Sequence, residues 1–154
     1  MKLIGDIGNT EIKICLIDNK FRIIKKINFQ TNEINSYKIR KKLKTFSKNK
    51  KKIENIIFSS VVPDAYKQIT KFLNLNLNKK IIEIKNLELK KLIDIKVNKK
   101  QVGSDRICNA IYVSNNIDNF IIVDFGTATT FDVVNDKKEY LGGSIAPGIK
   151  ISLE

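Results

Sequence analysis

The sequence predicts an α/β domain built on a mixed sheet, followed by the opening of a second domain of the same design, and three observations carry that expectation. Short β-branched runs alternate with helix-patterned stretches in the order three strands, helix, strand, helix, strand, helix, strand, the succession of a mixed sheet covered by helices. A segment near the start, Leu3-Ile4-Gly5-Asp6-Ile7-Gly8-Asn9, returns in kind as Ile121-Ile122-Val123-Asp124-Phe125-Gly126-Thr127. The composition, 42% hydrophobic and 29% charged over 154 residues, supports a real core and is neither that of a disordered chain nor of a membrane-spanning one.

Leu3 to Ile7 is the first strand, Gly8-Asn9-Thr10 a tight turn, and Ile12, Ile14 and Leu16 alternate with Lys13 and Cys15 along the returning strand. Phe21 to Phe29 supplies a third strand and completes an antiparallel start. Ser36 to Ser47 sets Ile39, Leu43 and Phe46 among lysines at helical intervals. Ile53 to Val62 is a strand stopped at Pro63, which has no amide proton to give a ladder, and Asp64 to Leu73 is a helix with that proline near its first turn. Lys80 to Ile84 is a short strand, Gly103 to Asn115 a helix through Ile107, Ala110 and Ile111, and Phe120 to Asp124 a strand whose partner runs from Thr129 to Val134. With the repeat as the boundary, residues 1–118 form a first lobe and 119–154 begin a second, so that a two-lobed protein is expected to be incomplete at Glu154.

The formal charge of +13 comes mainly from lysine. The lysines are spread along the chain, and arginine and aromatic residues are not interleaved with them as a stacking platform for single strands requires. Solvated lysine faces are therefore expected rather than a nucleic-acid groove. Cys15 and Cys108 lie far apart among apolar residues, with no metal or redox spacing, and are expected as small core side chains. No histidine is present, which excludes nucleophiles that work through histidine and the usual zinc sites, and leaves a carboxylate, lysine or tyrosine as any general base. No stretch has the length of a transmembrane helix and the start lacks the form of a signal peptide, so a cytoplasmic address is expected.

An aspartate at a strand end followed by a glycine turn is a device for handling phosphates. Glycine lets backbone approach an anion, the turn's amides and hydroxyls donate hydrogen bonds, and the carboxylate holds a hydrated cation. In the first copy Asn9, Thr10 and Lys13 add donors and charge. A lone Asp-x-Gly is also an ordinary hairpin turn, but two related copies followed by hydroxyl residues are harder to explain that way. The second copy, Asp124 to Thr130, continues to Gly142-Gly143-Ser144 and Pro147-Gly148, and its threonines also suit a plain strand edge. The third segment, Val102-Gly103-Ser104-Asp105-Arg106, has the form of a helix entry that holds an anion, with Arg106, one of three arginines, as a planar donor and Asp105 able to take a proton from a substrate hydroxyl. A helix cap with an exposed arginine fits the same residues.

Asp6-Ile7-Gly8-Asn9-Thr10, Ser60-Val61-Val62-Pro63, Val102 to Arg106, Asp124 to Thr130 and Gly142 to Gly148 together resemble the type III pantothenate kinase family, in that family's order and spacing. The resemblance implies the actin-like ATPase fold of duplicated ribonuclease-H-like domains and ATP-dependent phosphorylation of pantothenate, the first step of coenzyme A synthesis. It implies that Asp6, Ile7, Gly8, Asn9, Thr10, Glu11, Ile12 and Lys13 line the ATP phosphates, with Asp6 placing magnesium (Mg2+). Thr127 would contact ATP, and Asp124 would bind a monovalent cation, potassium (K+) or ammonium (NH4+). Gly103, Ser104, Asp105 and Arg106 would bind pantothenate, with Asp105 the general base and Arg106 suited to the carboxylate. A homodimer and a second lobe continuing past Gly148 are also implied. The tyrosine and proline that the family carries before Gly103 are absent from Lys96 to Gln101. Three other expectations stand beside the kinase: a regulatory member acting as a transcriptional accessory factor, a fragment completed by a second chain, and a basic nucleic-acid-binding module.

Overall fold

The computed structural model describes residues 1–153; Glu154, the last residue of the expected second lobe, lies outside the described residues. Internal contacts divide the chain into two compact units, Met1–Asn86 and the residues from Leu87 on.

The first unit holds β1 (Lys2–Ile7), β2 (Glu11–Ile17), β3 (Ile23–Gln30), α1 (Ser36–Ser47), β4 (Asn55–Ser60), α2 (Pro63–Leu77) and β5 (Ile81–Glu83). Its sheet runs in the order β3-β2-β1-β4-β5, with β1 antiparallel to β2, β2 antiparallel to β3, and β4 parallel to both β1 and β5. Three antiparallel strands extended by two parallel ones, the last reached through a helix, make the expected ribonuclease-H-like arrangement. The helix α1 starts where Asn35 Oδ1 accepts the Lys38 N–H at 2.9 Å. The helix α2 takes Pro63 into its first turn and runs four residues beyond the expected Leu73, because its apolar stripe of Ala65, Ile69, Leu73 and Leu77 recurs every fourth residue to the end. Asn78 then closes it in the left-handed conformation.

Strand alternation sorts this sheet into two faces. Leu3, Ile7, Ile12, Ile14, Leu16, Ile56 and Phe58 point into one core with Ile39, Leu43 and Phe46 of α1 and the α2 stripe. Gly5 lies among them because the Phe58 ring fills the space of a side chain there: an added Cβ would sit 2.2 Å from it. The alternate residues Asp6, Lys13 and Ser59 share the other face, in register across β2, β1 and β4. Cys15 also alternates onto that face and is half-buried, as is Cys108, so neither cysteine is the core side chain expected.

The second unit holds β6 (Asp94–Ile95), α3 (Ser104–Val113), β7 (Phe120–Phe125), β8 (Ala128–Val134), β9 (Glu139–Pro147) and the single turn α4 (Ile149–Ser152). Its sheet order is β6-β9-β8-β7, antiparallel from β7 to β9 with β6 parallel to β9. The strands β6 and β9 and the turn α4 were not expected. Gly142-Gly143-Ser144 lies inside β9, where Gly143 lets the backbone press on β8: a Cβ there would fall 1.8 Å from the Phe131 carbonyl oxygen. The repeat-based boundary at 118/119 falls within this unit, since β6 pairs with β9 and α3 packs against β7 and β8. Asp124, Thr130 and Asp132 share one face of the meander, and Ile121, Val123, Phe125, Phe131 and Val133 share the other, where all five are exposed. Among the described residues no helix is long and apolar enough to cross a membrane.

Candidate functional site

In the first hairpin the Gly8 N–H donates to the Glu11 carbonyl at 3.1 Å, which folds Gly8-Asn9-Thr10 between β1 and β2. The turn is braced from the end of β3, where the Thr31 hydroxyl donates to the Gly8 carbonyl at 2.7 Å and the Thr31 N–H to the Thr10 carbonyl at 2.9 Å. Asn9 and Thr10 face solvent, whereas the Ile7 and Ile12 side chains are buried in the core and leave only their backbone to face a ligand. Asp6 stands opposite Lys13 on β2 and Ser59 on β4. Lys13 Nζ lies 3.4 Å from Glu11, and the Asn28 amide, donating to Glu11 at 3.0 Å, holds that carboxyl below the usual glutamate range. Ser59 is 8% exposed and its hydroxyl has no hydrogen-bond partner.

The second hairpin repeats the plan with a shorter turn. The Gly126 N–H donates to the Ala128 carbonyl at 3.0 Å, and Gly148 packs on the turn so closely that a Cβ would lie 2.3 Å from the Thr127 carbonyl oxygen. Thr127 is exposed. Asp124 stands opposite Thr130, whose buried hydroxyl also lacks a partner. Asn109 of α3 donates to Asp124 Oδ2 at 3.0 Å, and both line an open pocket with Tyr112, Val113, Ile122 and Val123.

Among the described residues no group of three or more histidine, cysteine or acidic side chains stands ready for a metal. A cation held at Asp6 or Asp124 would take one carboxylate there, and its other ligands would be hydroxyl, water or phosphate oxygens. That donor set suits a hydrated hard cation, and the unpartnered Ser59 and Thr130 oxygens beside the two aspartates fit such an occupant.

The helix α3 begins at Gly103, which has no side chain to cap it. Asp105 is half-buried in the first turn, and its Oδ1 accepts the Arg106 N–H at 2.8 Å. Arg106 is not exposed: it is 8% accessible, and its Nε donates to both oxygens of Asp132, at 2.9 and 3.1 Å. Its Nη2 stands 2.7 Å from Asp132 Oδ1 without an aligned hydrogen bond, so that contact is ionic. The Tyr140 hydroxyl donates to the same carboxylate. Bonding to Asp132 raises the Arg106 pKa, and burial pushes the Tyr140 phenol up, so both remain protonated donors.

Sequence reasoning missed Ser59, Asn109, Asp132 and Tyr140, and named Thr130 only as the end of the second aspartate–glycine segment. Asp132 carried a signal: it is a charge at an inward position of an alternating strand, between Thr130 and Val134, and a buried carboxylate requires a partner. Ser59 carried none, because its place beside Asp6 comes from a parallel pairing distant in sequence.

Residues 2–154 match the family model described as type III pantothenate kinase. A type III pantothenate kinase of Pelagibacter ubique is 51% identical over all of this chain, and one of Francisella tularensis is 35% identical over 99% of it. The chain spans 62% of the length of each. Among solved structures, the Lmo2764 protein of Listeria monocytogenes superposes with a TM-score of 0.48 at 14% identity, covering 91% of this chain and 48% of that one, too distant a likeness to carry function.

Proposed function

Because the chain belongs to the type III pantothenate kinase family, we propose that it takes part in ATP-dependent phosphorylation of pantothenate to 4'-phosphopantothenate, the entry to coenzyme A synthesis. The observation that carries this is the pair of buried, unpartnered hydroxyls, Ser59 and Thr130, each across a ladder from an aspartate at a glycine hairpin. An unsatisfied buried hydroxyl costs about 1–3 kcal/mol, so two of them, each next to one of the two aspartates, point to partners that arrive with a ligand.

On this reading the Gly8-Asn9-Thr10 turn, with Gly8 letting the backbone approach and Asn9 and Thr10 supplying donors, and the Lys13 ammonium hold ATP phosphates, and Asp6 with Ser59 holds the water shell of Mg2+. Bound Mg2+ neutralises charge on the phosphate oxygens. Asp124, oriented by Asn109 and flanked by Thr130, holds K+ or NH4+, with Thr127 on the nucleotide. Gly103 to Arg106 takes pantothenate, where Asp105 accepts the proton of the attacking hydroxyl as its oxygen bonds to the terminal phosphorus and ADP leaves. Residues from 119 on are read as the start of a second lobe, in a cytoplasmic homodimer.

The test is ADP release by the purified chain with ATP, Mg2+ and K+, with and without pantothenate. Pantothenate-dependent ADP is expected; equal rates in both would contradict the assignment.

A further inference from the structure

Arg106 is held at both ends. Its backbone N–H bonds the Asp105 carboxylate at 2.8 Å, and its side chain bonds Asp132 on β8 through Nε. Asp132 is fully buried, Tyr140 is 1% exposed, and the Tyr140 hydroxyl fixes the Asp132 carboxylate from β9. Room for the guanidinium comes from Gly143, where an added Cβ would approach Arg106 Nη2 to 2.9 Å. Groups from β8 and β9 thus converge on the guanidinium of α3, whose side chain is only 10% exposed. A buried ion pair is a weak source of stability but a strong constraint on geometry, because either partner left alone is an uncompensated charge. The tether runs from the sheet through Arg106 to the residue read above as the general base.

We propose that Asp132 is a positioning residue for Asp105, acting through Arg106, with Tyr140 holding the Asp132 carboxylate in place. This rests on the assignment of Asp105 as the base. It also changes the part expected of Arg106: the guanidinium secures the first turn of α3 through its bonds to Asp132.

Proton exchange in 15N spectra of the whole chain tests it. There are three arginines, and Arg22 is exposed at its side chain while Arg40 is exposed, so the slowest arginine Nε–H belongs to Arg106. In Asp132→Asn, exchange at that Nε–H and at the Arg106 amide should quicken at least about tenfold, while the amides paired between β7 and β8 keep their protection. Tyr140→Phe, which removes one hydrogen bond, should give a smaller change at the same two sites, and decides the matter if Asp132→Asn does not fold. Unchanged exchange at Arg106, or equal loss across the whole unit, would overturn the proposal. Pantothenate-dependent turnover of the two variants supplies the second readout: kcat should fall with KM for ATP unchanged. If the unaltered chain shows no pantothenate-dependent turnover, the base assignment fails, and the exchange data still report whether Asp132 orders Arg106 and the Asp105 contact.

Discussion

The two glycine hairpins share a backbone plan and differ in what stands across from the aspartate. In the first, Asp6 faces Lys13, and the three-residue turn is pinned by Thr31. In the second, Asp124 faces Thr130, the turn has two residues, and Gly148 closes on it. A lysine beside a carboxylate suits a phosphate with its counter-ion, because it adds positive charge where the ligand is negative. A neutral hydroxyl beside a carboxylate suits a cation, because it adds an oxygen and no repulsion. Their supports differ as well: the first hairpin lies over an apolar core sealed by α1 and α2, while the sheet of the second is tied to α3 by polar contacts, Arg106 to Asp132 and Asn109 to Asp124. On the proposed reading, single cross-strand residues give one repeated device separate tasks.

Substitutions that break this contrast should rank as follows. Asp105→Asn should lower pantothenate-dependent turnover by about 100- to 10,000-fold, the usual worth of a general base, with nucleotide affinity retained by calorimetry. In the sealed core, Phe46→Ala should cost about 3–5 kcal/mol in denaturant unfolding. Lys13→Ala removes a charge-assisted contact worth about 1.5–3 kcal/mol and should raise KM for ATP accordingly, whereas Thr130→Val should leave KM for ATP alone and raise the K+ concentration needed for half-maximal rate. Asn35→Ala deletes the α1 cap and should cost about 1 kcal/mol. Phe125→Ala, on the bare face of the second sheet, should stay within about 0.5 kcal/mol, in contrast to Phe46.

Much of the fold was legible because local pattern and final structure agree. Strand alternation from Ile12 to Leu16 and helical spacing from Ile39 to Phe46 both bury the residues they mark, and Ser36–Ser47 is a helix to its ends. What escaped depends on pairing across distance. Gly143 helps hide the strand β9 because its lack of a side chain serves a close approach to β8, which composition does not reveal. Arg106 was legible as special among so many lysines, but its partner is 26 residues away on another element, so its burial was not. The candidate site followed the same rule: the aspartates, the glycines and the threonines after them stood out in the sequence, and Ser59 and the Asp132–Tyr140 support appeared only once strands were set in register.

The most direct test of the division of labour is a 15N chemical-shift titration of the whole chain, first with a non-hydrolysable ATP analogue and Mg2+, then with pantothenate. The account predicts that nucleotide moves the amides from Gly8 to Lys13 and that of Thr127, and that pantothenate moves those from Gly103 to Arg106. Nucleotide shifts that bypass both hairpins, or pantothenate shifts that bypass the start of α3, would contradict it.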